Sequence, residues 1–180
     1  MTNIVFDLNQ PTPDRDTTFE FGPLQTLWLR HLRSPALKQD TDGAMMRYRD
    51  GNYYFCCMGV AAHFVLDLPM TERHPEVPFA QAHMVSFFDP DSDTQVSDDT
   101  MLPGRTNERL GMHSRYGDIL DAEGNKIYVE VIKEDVEADQ EPIRMDVGAL
   151  WELNDDCGLT FAQIADFIEA YPRTVFAYPA

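Results

Sequence analysis

Two adjacent thiols, Cys56 and Cys57, stand at the head of an apolar run that reads as a helix, and a thiol so placed can do covalent chemistry. At a helix start the free backbone donors and the positive end of the peptide dipole lower a thiol pKa and favour the nucleophilic thiolate. The chemistry would be that of a cysteine-dependent hydrolase or transferase, in which an imidazole within about 3 Å takes the thiol proton. His63 lies seven residues beyond Cys56 on the same helix. That separation is a rise of about 10 Å, too far for the base. His31, His74, His83 and His113 can approach only through tertiary folding, and Asn154 or Asp155 could orient whichever does. The competing reading makes the thiols small apolar groups that pack the core against the last helix. Asn154, Asp155 and Asp156 could form a polar site at a helix end, but such residues more often cap the helix and start the turn, here at Gly158.

Cys56, Cys57, Cys157 and one histidine would satisfy zinc chemically. Adjacent cysteines, however, lack the Cys-x-x-Cys spacing that points two sulfurs at one ion, so no metal site is expected. Asp89, Asp91 and Asp93 alternate as at the start of a calcium loop, but Thr94 stands where that loop needs glycine and Thr100 where it needs glutamate. The chain has no phosphate-binding glycine loop, serine nucleophile elbow or zinc-protease His-Glu pattern, and no cofactor is expected.

Charge is the strongest compositional signal: 14 Lys and Arg against 31 Asp and Glu leave a net −17. Such a surface repels phosphate, which excludes general nucleic-acid or anionic-membrane binding. The acids cluster at 89–99, 118–123 and 134–141. Asp89, Asp91, Asp93, Asp98, Asp99, Glu134, Asp135 and Glu137 are therefore the candidate partner-binding residues. They could present carboxylates where a host DNA-binding protein expects phosphates. The competing reading is a set of solubilising loops.

The elements that must position these groups follow from periodicity. With 180 residues, 43% hydrophobic and 11% aromatic, the chain reads as a single α+β domain over 1–180 that needs neither disulfide nor metal. Three cysteines, two of them adjacent, make no disulfide framework, and reduced thiols are expected. Residues 1–21 form an N-terminal extension with two possible edge strands, Ile4 to Leu8 and Thr17 to Phe21. Gly22-Pro23 opens a helix that Ser34-Pro35 stops. Asp50-Gly51-Asn52 marks a hairpin between Ala44 and Phe55. The run from Cys56 to Leu66 is apolar almost all round and reads as a buried central helix. Phe79 to Phe88 could be helix or strand, 89–100 is an acidic loop, and Arg105 to Gly111 holds a helical turn or two. Ile127 to Ile132 is a strand, paired in a short antiparallel hairpin with Asp118 to Leu120, and 134–141 is a second acidic loop. Asp146 is expected to cap a helix over Val147 to Asp155. Thr160 and Gln163 form a capping box for a last helix that Pro172 ends.

Leu32-Arg33-Ser34, Gln39, Gly43, Cys56-Cys57-Met58-Gly59-Val60, Leu102-Pro103, Leu110-Gly111-Met112 and Leu153-Asn154-Asp155 stand in a telling order. Gly158, Phe161, Ile164-Ala165-Asp166 and Ile168 follow them. This series resembles a family of small uncharacterised proteins of tailed bacteriophages and prophages. The family's pattern is approximately LRSG, YCCLGVLCDL, LPPEVAEWLGL and LNDSGLTFAEIADLIE. Order and spacing agree over residues 24 to 171, the YCCLGV and LNDxGxTFxxIADxI blocks being the specific ones. Here Pro35 replaces the family's glycine, Met58 its leucine, and Ala62-His63 a third cysteine and an acid. The resemblance implies a phage accessory protein acting in a bacterial host cytoplasm, and it implies no reaction. An amino terminus without a basic and apolar leader, in a chain with no membrane-length apolar run, fits that compartment. The expected role is binding of a host or phage macromolecule, as an inhibitor or nucleic-acid mimic. The alternative is a thiol enzyme using Cys56 or Cys57, and whether the protein is an enzyme stays open at this stage.

Overall fold

A computed structural model describes residues 4–72, 83–91, 97–133 and 142–180, and shows an α+β fold with two sheets. In the smaller sheet β1 (Ile4–Asp7) runs parallel to β8 (Val129–Lys133), which pairs antiparallel with β9 (Ile143–Val147). The larger sheet has the order β2 (Lys38–Gln39), β4 (Asn52–Phe55), β3 (Met46–Arg49), β6 (His83–Phe88), β5 (Met70–Glu72), with β7 (Ser97–Asp98) also on β6. The helices are α1 (Pro23–Leu32), α2 (Cys57–Val60), α3 (Thr106–Arg109), α4 (Leu150–Asp155), α5 (Phe161–Ala170) and α6 (Pro172–Val175). Side chains from both sheets and from every one of these helices but α3 share one core.

Local sequence accounts for several of these elements. The β3–β4 hairpin turns at Asp50 and Gly51, both left-handed at φ 52° and 76°, the turn whose twist matches that of paired strands. The α5 start is the expected capping box: Thr160 Oγ1 accepts from Gln163 N at 3.3 Å and Gln163 Oε1 accepts from Thr160 N at 2.9 Å. Its inner face buries Phe161, Ile164, Ala165, Phe167 and Ile168. The central helix is also present, with Cys56 as its N-cap. Its second half, Ala61–Val65, is wound as a π-helix, Leu66 N bonding Ala61 O at 3.0 Å. Gly59 lets α2 lie against the chain before β3, because a Cβ there would overlap the Met45 carbonyl.

Elsewhere tertiary partners override local propensity. Thr17 to Phe21 is no strand: Asp16 accepts from Thr18 N and Oγ1 at 2.8 and 2.6 Å. The resulting turn sets Phe19 against the Phe176 ring at 6.0 Å. Asp146 caps nothing but sits in β9 opposite Glu130. The α4 helix begins later, at Leu150, where the Glu152 carboxylate takes the free Gly148 and Ala149 N–H groups. The hairpin expected before β8 shrinks to the single Leu120–Lys126 bridge, since β1 and β9 occupy both edges of β8. Within 89–100, Ser97–Asp98 is a strand rather than loop. Pro172 ends α5 yet opens α6, its ring angle suiting a first helical position. The 134–141 loop lies outside the described residues.

Candidate functional site

A pocket of about 230 Å³ opens beside Cys56, lined by Gly43, Ala44, Cys56, Thr100, Met101, Tyr116, Trp151 and Asp155. Five chain segments converge on it: 43–44, Cys56, 100–101, Tyr116 and α4. The 40–45 segment is held by Met45, whose N–H bonds Asp99 O at 2.7 Å and whose carbonyl accepts from Cys56 N at 3.0 Å. Tyr116 stands in a tight turn, with Ser114 Oγ accepting its N–H at 3.0 Å and Leu150 N reaching Gly117 O at 2.9 Å. On α4, Trp151 and Asp155 are four residues apart and therefore share one helix face.

The thiols do not form a nucleophile and base. Gly59 N donates to Cys56 Sγ at 3.5 Å, so the Cys56 sulfur takes the cap position, and it lines the pocket while only 4% exposed. Cys57 Sγ donates to Leu150 O at 3.6 Å from full burial. Its contact with the Cys56 thiol, followed by burial and by the charge of Asp155, pushes its pKa well above the ordinary thiol value. Burial, helped by Asp156, pushes Cys157 up to about 11. All three cysteines are free.

No histidine is among the described lining residues. His31 stacks on Phe64 at 5.1 Å and His63 on Phe55 at 5.6 Å, and burial lowers the pKa of both. His113 shares a 3.1 Å hydrogen bond with Arg173 O. His74 lies outside the described residues, and His83 lies in β6.

Asn154 is a fully buried clamp. Its Oδ1 accepts from Gln39 Nε2 at 2.9 Å, while its Nδ2 donates to Asp40 O at 2.6 Å and to Asp155 Oδ1 at 2.5 Å. With these bonds made, its amide has little left with which to orient an imidazole. Gln39 extends the network to Leu159 O at 2.6 Å and to Phe161 N at 3.2 Å, tying β2 to the α5 start. Asp155 is half-buried. Burial raises its carboxyl pKa, the repulsion of Asp40 and Asp156 adds to the rise, and bonds from the Asn154 amide and Gly43 backbone oppose it. Burial likewise raises Asp40, which Arg47 Nε pairs at 2.9 Å.

Several of the residues that carry the phage-family resemblance thus meet in space. Gln39, Gly43, Cys56, Asn154, Asp155 and Phe161 lie in or directly behind one pocket wall. The acidic candidates are scattered. Asp89 turns inward to accept from Asp91 N at 3.1 Å and Arg105 N at 3.3 Å. Asp98 pairs with Arg115 at 2.8 Å and accepts from the N–H groups of Thr100 and Met101 at 3.0 and 3.2 Å. The Asp99 carbonyl is the Met45 partner, and Asp91 is exposed. Asp93, Glu134, Asp135 and Glu137 lie outside the described residues.

Sequence reasoning missed Trp151, Tyr116, Thr100 and Met101 as pocket residues. The one available signal was Trp151, a large aromatic set one turn before Asp155 on the polar side of a short helix. Among the described residues no group of His, Cys, Asp and Glu could hold a metal ion, and no helix is long and apolar enough to cross a membrane. The fold and site therefore define an α+β protein with an aromatic and acidic pocket built on a buried polar clamp. The chain matches no family model, no curated protein and no solved structure.

Proposed function

We propose that this chain is an acidic accessory protein of the phage type, which acts in a bacterial host cytoplasm by binding a host or phage protein. The observation that carries this reading is the pocket beside Cys56. It offers partly exposed Trp151 and Tyr116 in a mostly apolar lining and lacks a histidine among its described lining residues. Tryptophan and tyrosine held in a pocket are the side chains on which protein contacts most often depend. The nucleic-acid-mimic form of the reading draws no support from Asp89 and Asp98, whose carboxylates face their own backbone and Arg115. Inhibition by occupancy of a partner's surface needs no such mimicry.

The test is a tagged pull-down from nuclease-treated bacterial lysate at low and high salt. One host protein that is retained at low salt and elutes as salt rises is the expected result. Recovery of no protein at either salt would remove the reading.

One observation favours the thiol-enzyme alternative: Cys56 Sγ both caps a helix start and reaches the pocket. Alkylation by iodoacetamide at neutral pH separates the two. A binding protein should leave Cys57 and Cys157 unmodified and react at Cys56 no faster than a free thiol, whereas all three should react once it is unfolded in guanidinium. Rapid alkylation confined to Cys56 would promote the enzyme.

A further inference from the structure

The make-up of the Cys56 pocket selects one ligand chemistry. Its two large rings, Trp151 and Tyr116, are 36% and 47% exposed. They come from α4 and from the 114–117 turn, and Gly43, Ala44, Cys56 and Met101 make the rest of the lining mostly apolar. The faces of such rings carry negative potential and attract a cation that has shed its water. Asp155 is the carboxylate among the described lining residues. Burial and the charges of Asp40 and Asp156 raise its pKa, the neutral Asn154 amide and Gly43 backbone oppose the rise, and none of the ion pairs among the described residues includes it. The other acid near the mouth, Asp98, is already neutralised by Arg115, whose guanidinium lies 5.9 Å from the Tyr116 ring centroid. Tyr116 therefore already has one guanidinium beside its ring.

Size narrows the ligand further. At about 230 Å³ the pocket falls below the roughly 300–1,000 Å³ typical of small-molecule sites, and one extended side chain suits it better. We propose that the pocket seats the guanidinium of a single arginine carried on a basic segment of the partner polypeptide, stacked between Trp151 and Tyr116 and bonded to Asp155. A planar guanidinium can stack on rings and bond a carboxylate at once, and its methylene stem matches the apolar lining. The net charge of −17 draws a basic segment towards the protein from any side, and the pocket fixes where it docks. This proposal rests on the binding reading above and names the partner's chemistry.

The test titrates the full chain with a fluorescein-labelled oligoarginine peptide and follows anisotropy together with tryptophan emission. Trp28 is fully buried, so a change in emission reports Trp151. Trp151→Leu and Asp155→Asn should each weaken binding about tenfold or more, and Tyr116→Leu severalfold. Asp14→Asn removes the same charge as Asp155→Asn from an exposed site outside the pocket and should weaken binding less than about twofold. Melting temperatures establish that each variant folds. Tyr116→Leu, at an exposed side chain, keeps the test decisive if Asp155→Asn does not fold. Equal, small losses for the pocket variants and for Asp14→Asn would mean that only the general field holds the peptide, which overturns the proposal. A lysate partner retained undiminished by Trp151→Leu would overturn it too while leaving the binding reading intact. Absence of both peptide binding and a lysate partner would end both.

Discussion

Five of the six residues of α4 divide between two regions with opposite fates. Leu150, Leu153 and Asn154 face inward and are fully buried, and Asn154 uses its whole amide to join Gln39, Asp40 and Asp155. Trp151 and Asp155 face the pocket, where a large ring stays exposed and a carboxylate lacks a cation among its described neighbours. The difference separates stability from recognition. Behind the wall every polar atom of Asn154 is answered within the chain, and unanswered groups would be costly there. On the pocket side the same helix leaves an aromatic face and a charge for something else to answer.

That division can be attacked from the buried side first. Gly59→Ala should produce the largest effect, since a Cβ would overlap the Met45 carbonyl where α2 and the chain before β3 touch. A loss of more than about 4 kcal/mol is expected, read as a collapse of the urea midpoint. A near-normal midpoint would show that the wall can shift, and the division between wall and mouth would blur. Asn154→Leu comes next. It leaves Asp40 O without the Asn154 donor and Gln39 Nε2 with only Leu159 O as acceptor, and should cost about 3 kcal/mol by the same measurement, because buried polar groups would lose partners.

The smallest effect belongs to the mouth and sharpens the comparison through pH. Burial raises the Asp155 pKa above its ordinary value of 3.8, so folding disfavours the ionised form. This carboxyl therefore does not burden the fold when protonated, and its stabilising preference is lost as pH rises through the folded-state pKa. Asp155→Asn, whose side-chain oxygen can still accept from Asn154, should gain stability relative to the parent on going from pH 3 to pH 7. Asp16, partly exposed and lowered by its bonds from Thr18, acts in the opposite sense: its contribution is present at neutral pH and lost on acidification. Parallel pH profiles for the parent and Asp155→Asn would show that Asp155 is not the strained carboxylate of the pocket.

Legibility varied with the range of the interaction that decides each element. The α5 capping box and the β3–β4 turn were readable because a Thr160–Gln163 pair and an Asp50–Gly51 pair settle their geometry within a few residues. The start of α4 was misread at Asp146, because β8 claims that residue for a strand pair that no local rule anticipates. Thr17 to Phe21 looked like a strand on propensity, and the remote Phe176 ring made it a packed turn. In the candidate site, Cys56, Asn154 and Asp155 could be singled out by type and position. Tyr116 and Met101 could not, since only folding carries them to Trp151.

By itself the sequence determined the α+β class, the capped last helix, the apolar helix behind Cys56 and the charge of −17, all of which follow from composition or from spacings shorter than a few turns. Only the tertiary structure decided that Cys57 is sealed in the core, that His31 and His63 belong to an aromatic stack, and that Arg115 neutralises Asp98 while no cation among the described residues pairs with Asp155. The physical reason is that burial and charge pairing are properties of neighbours brought together from distant parts of the chain. A residue's reactivity depends on those neighbours as much as on its own type.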